Sequence, residues 1–341
     1  MSRRKHSHRR RHRHGHRRIV PLKIMAVLLA MIILVCGVLF AINLWETKTQ
    51  KQFDQNTSTG FDSVIEFEGK KYHLNENVET MLLIGLDKFE VTDTESYTND
   101  MQADFLMLLV VDNENKTFTG LHINRDTVTE VDVLGVAGDK IDVNEQQIAL
   151  AHTYGNGKEV SCRNTAVAVS NLLNVEVDHY VSVTMDAVEV LNDYVGGVEV
   201  TVLDDFSGID DSLVKGKTVK LMGDRALTYV RSRYGLDDNT NNRRMVRQRQ
   251  YIEALYQKAL LCMEDDDSFV LNAASKLSSY IVSDCSANRL QTIAEKLAEY
   301  EFNGIQDLKG ESVAGEKFME FYPDTKALKE TVVGLFYVPK D

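Results

Sequence analysis

Twenty-two consecutive uncharged, mostly apolar residues, Ile24 to Trp45 (IMAVLLAMIILVCGVLFAINLW), lie between Lys23 and Glu46. At about 1.5 Å per helical residue the run is long enough to cross a bilayer core of roughly 30 Å. It exceeds the roughly 7–15 apolar residues of a cleaved signal peptide. It also lacks an evident Ala-x-Ala cleavage site, and Trp45 suits the membrane–water interface. The run therefore reads as an uncleaved signal anchor. Ten of the 39 Lys and Arg residues precede it, in a stretch of 23 residues without an acid. An excess of basic residues on one flank retains that flank in the cytoplasm, which sends residues 46–341 outward.

The two sides of this span differ sharply. The 1–23 tail (SRRKHSHRRRHRHGHRR) is too charged and too simple in composition to fold alone, and its expected roles are to set topology and to touch anionic membrane lipid. It contains no helix-turn-helix pattern, and the remaining arginines are on the outer side, so no nucleic acid is expected as a partner. The rest of the chain carries 29 basic residues against 51 acidic ones. Residues 46–77 have linker composition, with a short strand expected at Ser63–Phe67. Of the four cysteines, Cys36 falls in the span; Cys162, Cys262 and Cys285 allow at most one intramolecular disulfide and show no metal-ligand spacing.

Residues 78–341 read as one extracellular domain. Glu79–Asp87 is a continuous apolar run ending in Gly-Leu-Asp, as expected of a buried strand with a carboxylate at its end. Asp104–Asp112 is a second such run, and Thr117–Ile123 returns after a turn at Asn113–Lys116 as its hairpin partner. Helical patterns follow at Asn144–Tyr154 and Asn164–Leu173. A strand (His179–Thr184), a helix (Asp186–Val195) and a strand (Gly197–Val202) come next. Helices are then expected from Gly223 into Arg231 and over Asn242–Met263, Ser268–Tyr280 and Ser286–Tyr300, before a late strand (Phe318–Tyr322) and a closing helix (Asp324–Phe336). Strands alternating with helices imply an α/β fold, a mixed sheet flanked by helices.

Two groups of residues carry chemistry. Ala226–Gln250 holds six arginines, Arg231, Arg233, Arg243, Arg244, Arg247 and Arg249, in an otherwise acidic region. Guanidinium groups match phosphate bidentately and keep their charge. In a helix from about Asn242, Arg244, Arg247 and Gln248 share a face. Read alone, the cluster fits either a multiply charged anion or a solvated face paired with nearby acids. The second group comes from hairpin geometry: Asp104 opens one strand and Arg125 follows its partner, so both reach one sheet edge, where Asp87 can join them.

Taken in order, these segments resemble the LytR-CpsA-Psr family. The matching pieces are Gly85-Leu-Asp87, Ala103-Asp104, Asn124-Arg125-Asp126, Tyr194–Val200, Ala226–Arg233 and Arg244-x-x-Arg247-Gln248, spread over residues 78–262 below one N-terminal span. The resemblance implies a phosphotransferase on the outer face of a Gram-positive-type cell membrane. Such an enzyme moves a glycopolymer of the teichoic acid or capsule type from a polyprenyl-pyrophosphate carrier to peptidoglycan, forming a phosphodiester. It further implies Asp87 and Asp104 as carboxylates for Mg2+ (or Mn2+), and Arg125, Arg231, Arg233, Arg244 and Gln248 as pyrophosphate donors. Asp126 and Arg247 complete the catalytic set, and a hydrophobic groove is expected for the lipid. The chain departs from the family pattern at Gln102-Ala103, where Arg-Ser is common, at Asn124, where Pro is usual, and at Lys88, near a common Arg. A lipid-binding paralogue without turnover and a polyprenyl-pyrophosphate pyrophosphatase are the alternatives that the same residues would serve.

Overall fold

A computed structural model describes residues 61–87, 99–136, 138–232 and 241–340. The basic tail, the apolar run, Lys88 and Arg233 lie outside the described residues. Among those described, no helix is long and apolar enough to cross a membrane.

The chain enters through a hairpin, β1 (Val64–Phe67) and β2 (Lys70–Leu74), turning at Glu68 and Gly69, both with positive φ. β3 (Val78–Leu86), β4 (Ala103–Asp112) and β5 (Thr117–Ile123) form an antiparallel meander. A ribbon of β6 (Val128–Leu134) and β7 (Lys140–Gln147) leads to a 3-10 segment at Ile148–Thr153 and then helix α1 (Glu159–Leu173). Next come β8 (His179–Thr184), α2 (Asp186–Tyr194), and the two-stranded pair β9 (Val198–Thr201) and β10 (Thr218–Leu221). Helices α3 (Asp224–Arg231), α4 (Asn241–Asp265) and α5 (Phe269–Leu277) follow. The remainder is β11 (Ile281–Ser283), α6 (Ala287–Glu299), β12 (Glu301–Asp307), the hairpin β13 (Gly310–Ala314) with β14 (Met319–Pro323), α7 (Thr325–Phe336) and β15 (Tyr337–Pro339).

The principal sheet has six strands in the order β11-β8-β3-β4-β5-β12. β8 runs parallel to β3 and β12 parallel to β5, while the other neighbours are antiparallel. This is a mixed α/β sheet covered on both faces, and the composition of its central strands explains why. Successive side chains of a strand point to opposite faces. Leu82, Ile84 and Leu86 join one core with Ala166, Val169 and Leu173 of α1, whereas Met81 and Leu83 pack with Val181 and Ile293 on the other face. An unbroken apolar run is what a strand buried on both faces requires. A separate apolar cluster, including Val198, Val200, Leu221, Tyr229, Tyr251 and Phe269, ties the β9–β10 pair to α3, α4 and α5.

The helix expected at Asn144–Tyr154 is instead the end of β7 followed by the 3-10 segment. Val143 and Asn144 pair with Asp132 and Val131 of β6, so a strand partner satisfies their backbone where an isolated helix would have had to. Helix α1 begins at Glu159, five residues before the expected start, because Asn156 accepts from the backbone N–H of Lys158 and Val160 and organises the turn that leads in. Cys162, Cys262 and Cys285 are free thiols.

Two histidines are sealed in the interior. Burial, with the charges of Arg249 and Arg244, holds His122 down at about 3; burial holds His152 at about 4, opposed by its hydrogen bond to the Met101 carbonyl at 2.9 Å. Both folded values lie below the unfolded value of about 6.5, so the unfolded chain binds more protons in between. Their contribution to stability is complete above that value and is lost as pH falls towards 4 and 3. Through these two groups acidification from pH 7 to 5.5 is expected to lower stability by roughly 2–3 kcal/mol, at about 1.4 kcal/mol per unit per histidine. This is partly offset by His179, whose folded value of about 10 acts in the opposite direction. Urea unfolding at the two pH values checks this; an unchanged or raised midpoint at pH 5.5 contradicts it.

Candidate active site

One end of the principal sheet collects the charged residues. Leu86 pairs with Ala103 and Leu106 with Ile123, so the residues just after β3, at the start of β4 and just after β5 emerge together. A bulge between Gly85 and Leu86 marks this end. Gly85 must be glycine for packing reasons: a Cβ there would lie 2.8 Å from Phe105 Cβ. Arg125 makes an ion pair with Asp104, donates from Nη2 to Gln102 Oε1, and has Nε 3.6 Å from Asp126 Oδ1. Asp126 is buried and also accepts from Gln147 Nε2 at 3.2 Å. Gln102 is a neutral acceptor that orients Arg125.

Arg231, the last residue of α3, donates from Nη2 to Asp87 Oδ1 at 2.6 Å. Both side chains are about half exposed, at 52% and 48%, so this pair can open at small cost. Asp104, Arg125, Arg231 and Arg244 line one polar cavity of about 640 Å³, together with Asp224, Thr228, Ser232, Leu227, Met185 and Ile209. An apolar cavity of about 320 Å³ adjoins it, lined by residues such as Leu83, Phe105, Val183, Leu191, Ile252 and Leu255. Arg231 and Met185 line both.

Arg244, Arg247 and Gln248 do share a helix face, and all three are buried, but they have different tasks. Arg244 reaches the polar cavity. Arg247 does not line it. Its guanidinium is 1% exposed and is ion-paired to Asp204, donates from Nε to the Tyr229 carbonyl at 2.9 Å and from Nη2 to the Ser232 carbonyl, and lies over the Phe206 ring at 5.6 Å. These contacts bind α4 to the C-terminal end of α3, so the structure gives Arg247 the position of a residue that locates Arg231 rather than of a phosphate donor. Gln248 donates to the Val230 carbonyl at 3.3 Å and lines the apolar cavity. Arg243 pairs with Asp204 from the other side, and Arg249 with Asp307 at 3.0 Å. Arg233 lies outside the described residues.

Asp204 was not visible as a site residue in the sequence. It is one acid among many, and only the fold reveals that it sits, 1% exposed, between Arg243 and Arg247. Asn241, which holds Arg244, and Asn124, which holds Asn241, were likewise missed, because neutral amides carry no charge signal.

Asp87 and Asp104 offer hard oxygen ligands beside the cavity, a donor set that suits Mg2+ or Mn2+ when a substrate supplies further oxygens. A second group, His179, Asp284 and Cys285, brings ligand atoms within 4.8 Å of one another at the start of β8, away from this cavity. There Asp284 and Cys285 push His179 up to about 10, so the imidazole is protonated at neutral pH and resists a cation.

Comparison with known proteins gives a consistent picture. The model of the LytR_cpsA_psr family matches residues 40–332. A polyisoprenyl-teichoic acid–peptidoglycan teichoic acid transferase TagU from Enterococcus faecalis is 31% identical over 194 residues, 56% of this chain and 58% of that protein. The protein of the same name from Halalkalibacterium halodurans is 33% identical over 167 residues, 49% and 50% of the two chains. The chain thus spans about half the length of these curated relatives. Among solved structures, protein gbs0355 from Streptococcus agalactiae superposes with a TM-score of 0.61 at 22% identity, covering 76% of this chain and 87% of that one. TagT bound to LIIa-WTA superposes with a TM-score of 0.57 at 21% identity, covering 76% and 90%. At these identities the structures speak to the fold.

Proposed function

Because the chain belongs to the LytR-CpsA-Psr family, we propose that it is a membrane-anchored, extracytoplasmic transferase that moves a cell-wall glycopolymer from a polyprenyl-pyrophosphate carrier to a peptidoglycan hydroxyl. The observation that carries this reading is the junction of the two cavities. A lipid pyrophosphate is an apolar chain ending in a compact polyanion, and here an apolar cavity opens beside one lined by Arg125, Arg231 and Arg244. The relatives named as teichoic acid transferases support the same class of cargo.

In this reading the arginines bind the two phosphates and neutralise charge as it shifts onto the leaving group, which is the main task in phosphoryl transfer. The acceptor oxygen forms a bond to the sugar-bearing phosphorus while the bond to the bridging phosphate oxygen breaks. Polyprenyl monophosphate leaves, and the hydroxyl proton passes to Asp87 or Asp104. Arg231, half exposed and paired among the described residues with Asp87, is placed to exchange that carboxylate for phosphate as the substrate enters. Arg125 is more enclosed, 13% exposed, and is oriented by Asp104 and Gln102. Asp87 and Asp104 would hold Mg2+ or Mn2+, which would supply further charge neutralisation at the phosphates.

Transfer from a purified lipid-linked glycopolymer to peptidoglycan fragments tests the function, with the phosphodiester product measured by mass spectrometry. Release of free glycopolymer phosphate without acceptor attachment would point to a pyrophosphatase, and binding without either product to a lipid-binding protein. Transfer is expected to require Mg2+ or Mn2+ and to stop on chelation. Asp87→Asn and Asp104→Asn are each expected to lower transfer at least tenfold more than they lower retention of the lipid donor, which the arginines and the apolar cavity still support. Full activity of the double variant in a chelator would refute the metal role.

A further inference from the structure

Arg244 and Arg125 enter one cavity from two elements far apart in sequence, and a pair of amides joins those elements. Asn124, between β5 and Arg125, accepts at Oδ1 from the Asn241 side-chain amide at 2.6 Å, across 117 residues of chain. The same oxygen accepts from the Asp126 backbone N–H at 3.0 Å, and Asn124 Nδ2 donates to Asn242 Oδ1 at 3.3 Å. Asn241, the first residue of α4, turns its own Oδ1 to Arg244, accepting from Nε at 3.1 Å and from Nη2 at 2.6 Å. A guanidinium only donates, so the Asn241 amide must present oxygen to it and nitrogen to Asn124; the chain of bonds has one consistent direction. Asn124, Asn241 and Arg244 are 3%, 9% and 5% exposed, so the bonds are shielded from water.

We propose that Asn124 and Asn241 are positioning residues, a neutral amide strut that sets Arg244 against Arg125 for a phosphate-bearing ligand without adding negative charge to the cavity. The phosphate half rests on the function proposed above; the positioning half rests on geometry alone. The neighbouring Arg247 shows the alternative within the same helix. There a carboxylate, Asp204, fixes the guanidinium of a residue that does not line the cavity. An amide fixes Arg244 through Nε and Nη2 while contributing no charge of its own. Joining α4 to the β5 end through the Asn124 side chain also ties the spacing of Arg125 and Arg244 to a bridge between their two elements rather than leaving it to two independent arginines.

Two measurements on the full-length chain in detergent micelles test the strut. The first follows the Nε–H resonance of Arg244 in protein labelled with 15N-arginine, assigned by its disappearance in Arg244→Lys. Exchange of this proton with water is expected to be slow in the wild type and at least tenfold faster in Asn241→Ala and in Asn124→Ala, with Arg249 unaffected. Unchanged exchange in both variants overturns the strut. The second measures binding of inorganic pyrophosphate and of farnesyl pyrophosphate, without divalent cation. Asn241→Asp loses the donor to Asn124 Oδ1, so its thermal midpoint should fall, but it keeps an oxygen on Arg244, whose Nε–H should stay protected. Its affinity for pyrophosphate should nevertheless fall at least tenfold, with a shallower salt dependence. Wild-type affinity in Asn241→Asp overturns the charge argument, because a carboxylate on Arg244 would then cost the anion nothing. A wild-type protein that binds neither ligand overturns the proposed function, while the exchange measurement still decides the strut.

Discussion

Replacing Arg231 or Arg125 with alanine is expected to cut transfer from a lipid-linked donor by about 10³-fold, the scale of losing one arginine at a phosphoryl-transfer centre. The two differ in what else they disturb. Arg231 is 52% exposed and touches only the half-exposed Asp87 among its described ion-pair partners, so Arg231→Ala should leave thermal stability within about 0.5 kcal/mol of wild type. Arg125 is enclosed between Asp104 and Asp126, so its removal crowds carboxylates and should also raise the cation requirement. Lysine is expected to restore little at either position, since a single ammonium cannot reproduce a two-pronged contact. Arg249, paired with Asp307 and absent from the lining of either cavity, is the control and should lose no more than about twofold. Equal losses in all three variants would reduce the cluster to a basic face.

The largest stability effect is expected at Asp204. This carboxylate is 1% exposed and pairs with both Arg243 and Arg247, and Arg247 is itself 1% exposed. Asp204→Ala leaves a buried guanidinium without its carboxylate, which typically costs about 3–5 kcal/mol. Arg243→Ala should cost much less, because Arg243 is 36% exposed and Asp204 keeps its inner partner. Removing both members of the buried pair, as in Asp204→Leu with Arg247→Met, should recover much of the loss, since neither charge then remains in the interior. Urea unfolding of the three variants reads the order. An Asp204→Ala protein within about 1 kcal/mol of wild type would mean that water reaches this pair and that the α3–α4 junction is held by apolar contacts alone.

The central fold was legible where the sequence had no competing option. Runs as apolar as Glu79–Asp87 and Asp104–Asp112 can only be buried on both sides, and they became β3 and β4 within a residue or two. The meeting of Asp104 with Arg125 followed from hairpin geometry, which is local. The strands that went unread, β2, β6, β7, β10, β11, β12, β13 and β15, are short or polar, and their partners come from remote parts of the chain or from turns without a strong signal. β12 illustrates this: EFNGIQD has no clear alternation and is a strand because β5 offers it a free edge. In the site, periodicity placed Arg244, Arg247 and Gln248 on one face but could not say what that face meets. Arg247 meets Asp204, Gln248 the Val230 carbonyl, and Arg244 the cavity. The difference lies in neighbours supplied by the segment after β9, by α3 and by the β5 end, which the spacing of these three residues does not encode.

The order of the principal sheet has a consequence for how the molecule comes into being. Both outer strands, β11 and β12, arrive after residue 280, and β15 at Tyr337–Pro339 closes onto β2 at Tyr72–Leu74. A chain that emerges N-terminus first therefore displays the bare edges of β2, β5 and β8 until its last sixth has followed. Exposed edges are templates for pairing with other chains, and pairings of such long sequence separation form slowly. The stretch that carries the arginines is thus complete in sequence well before the sheet beneath it is sealed. Maturation of this protein is a race between its own late strands and those of its neighbours.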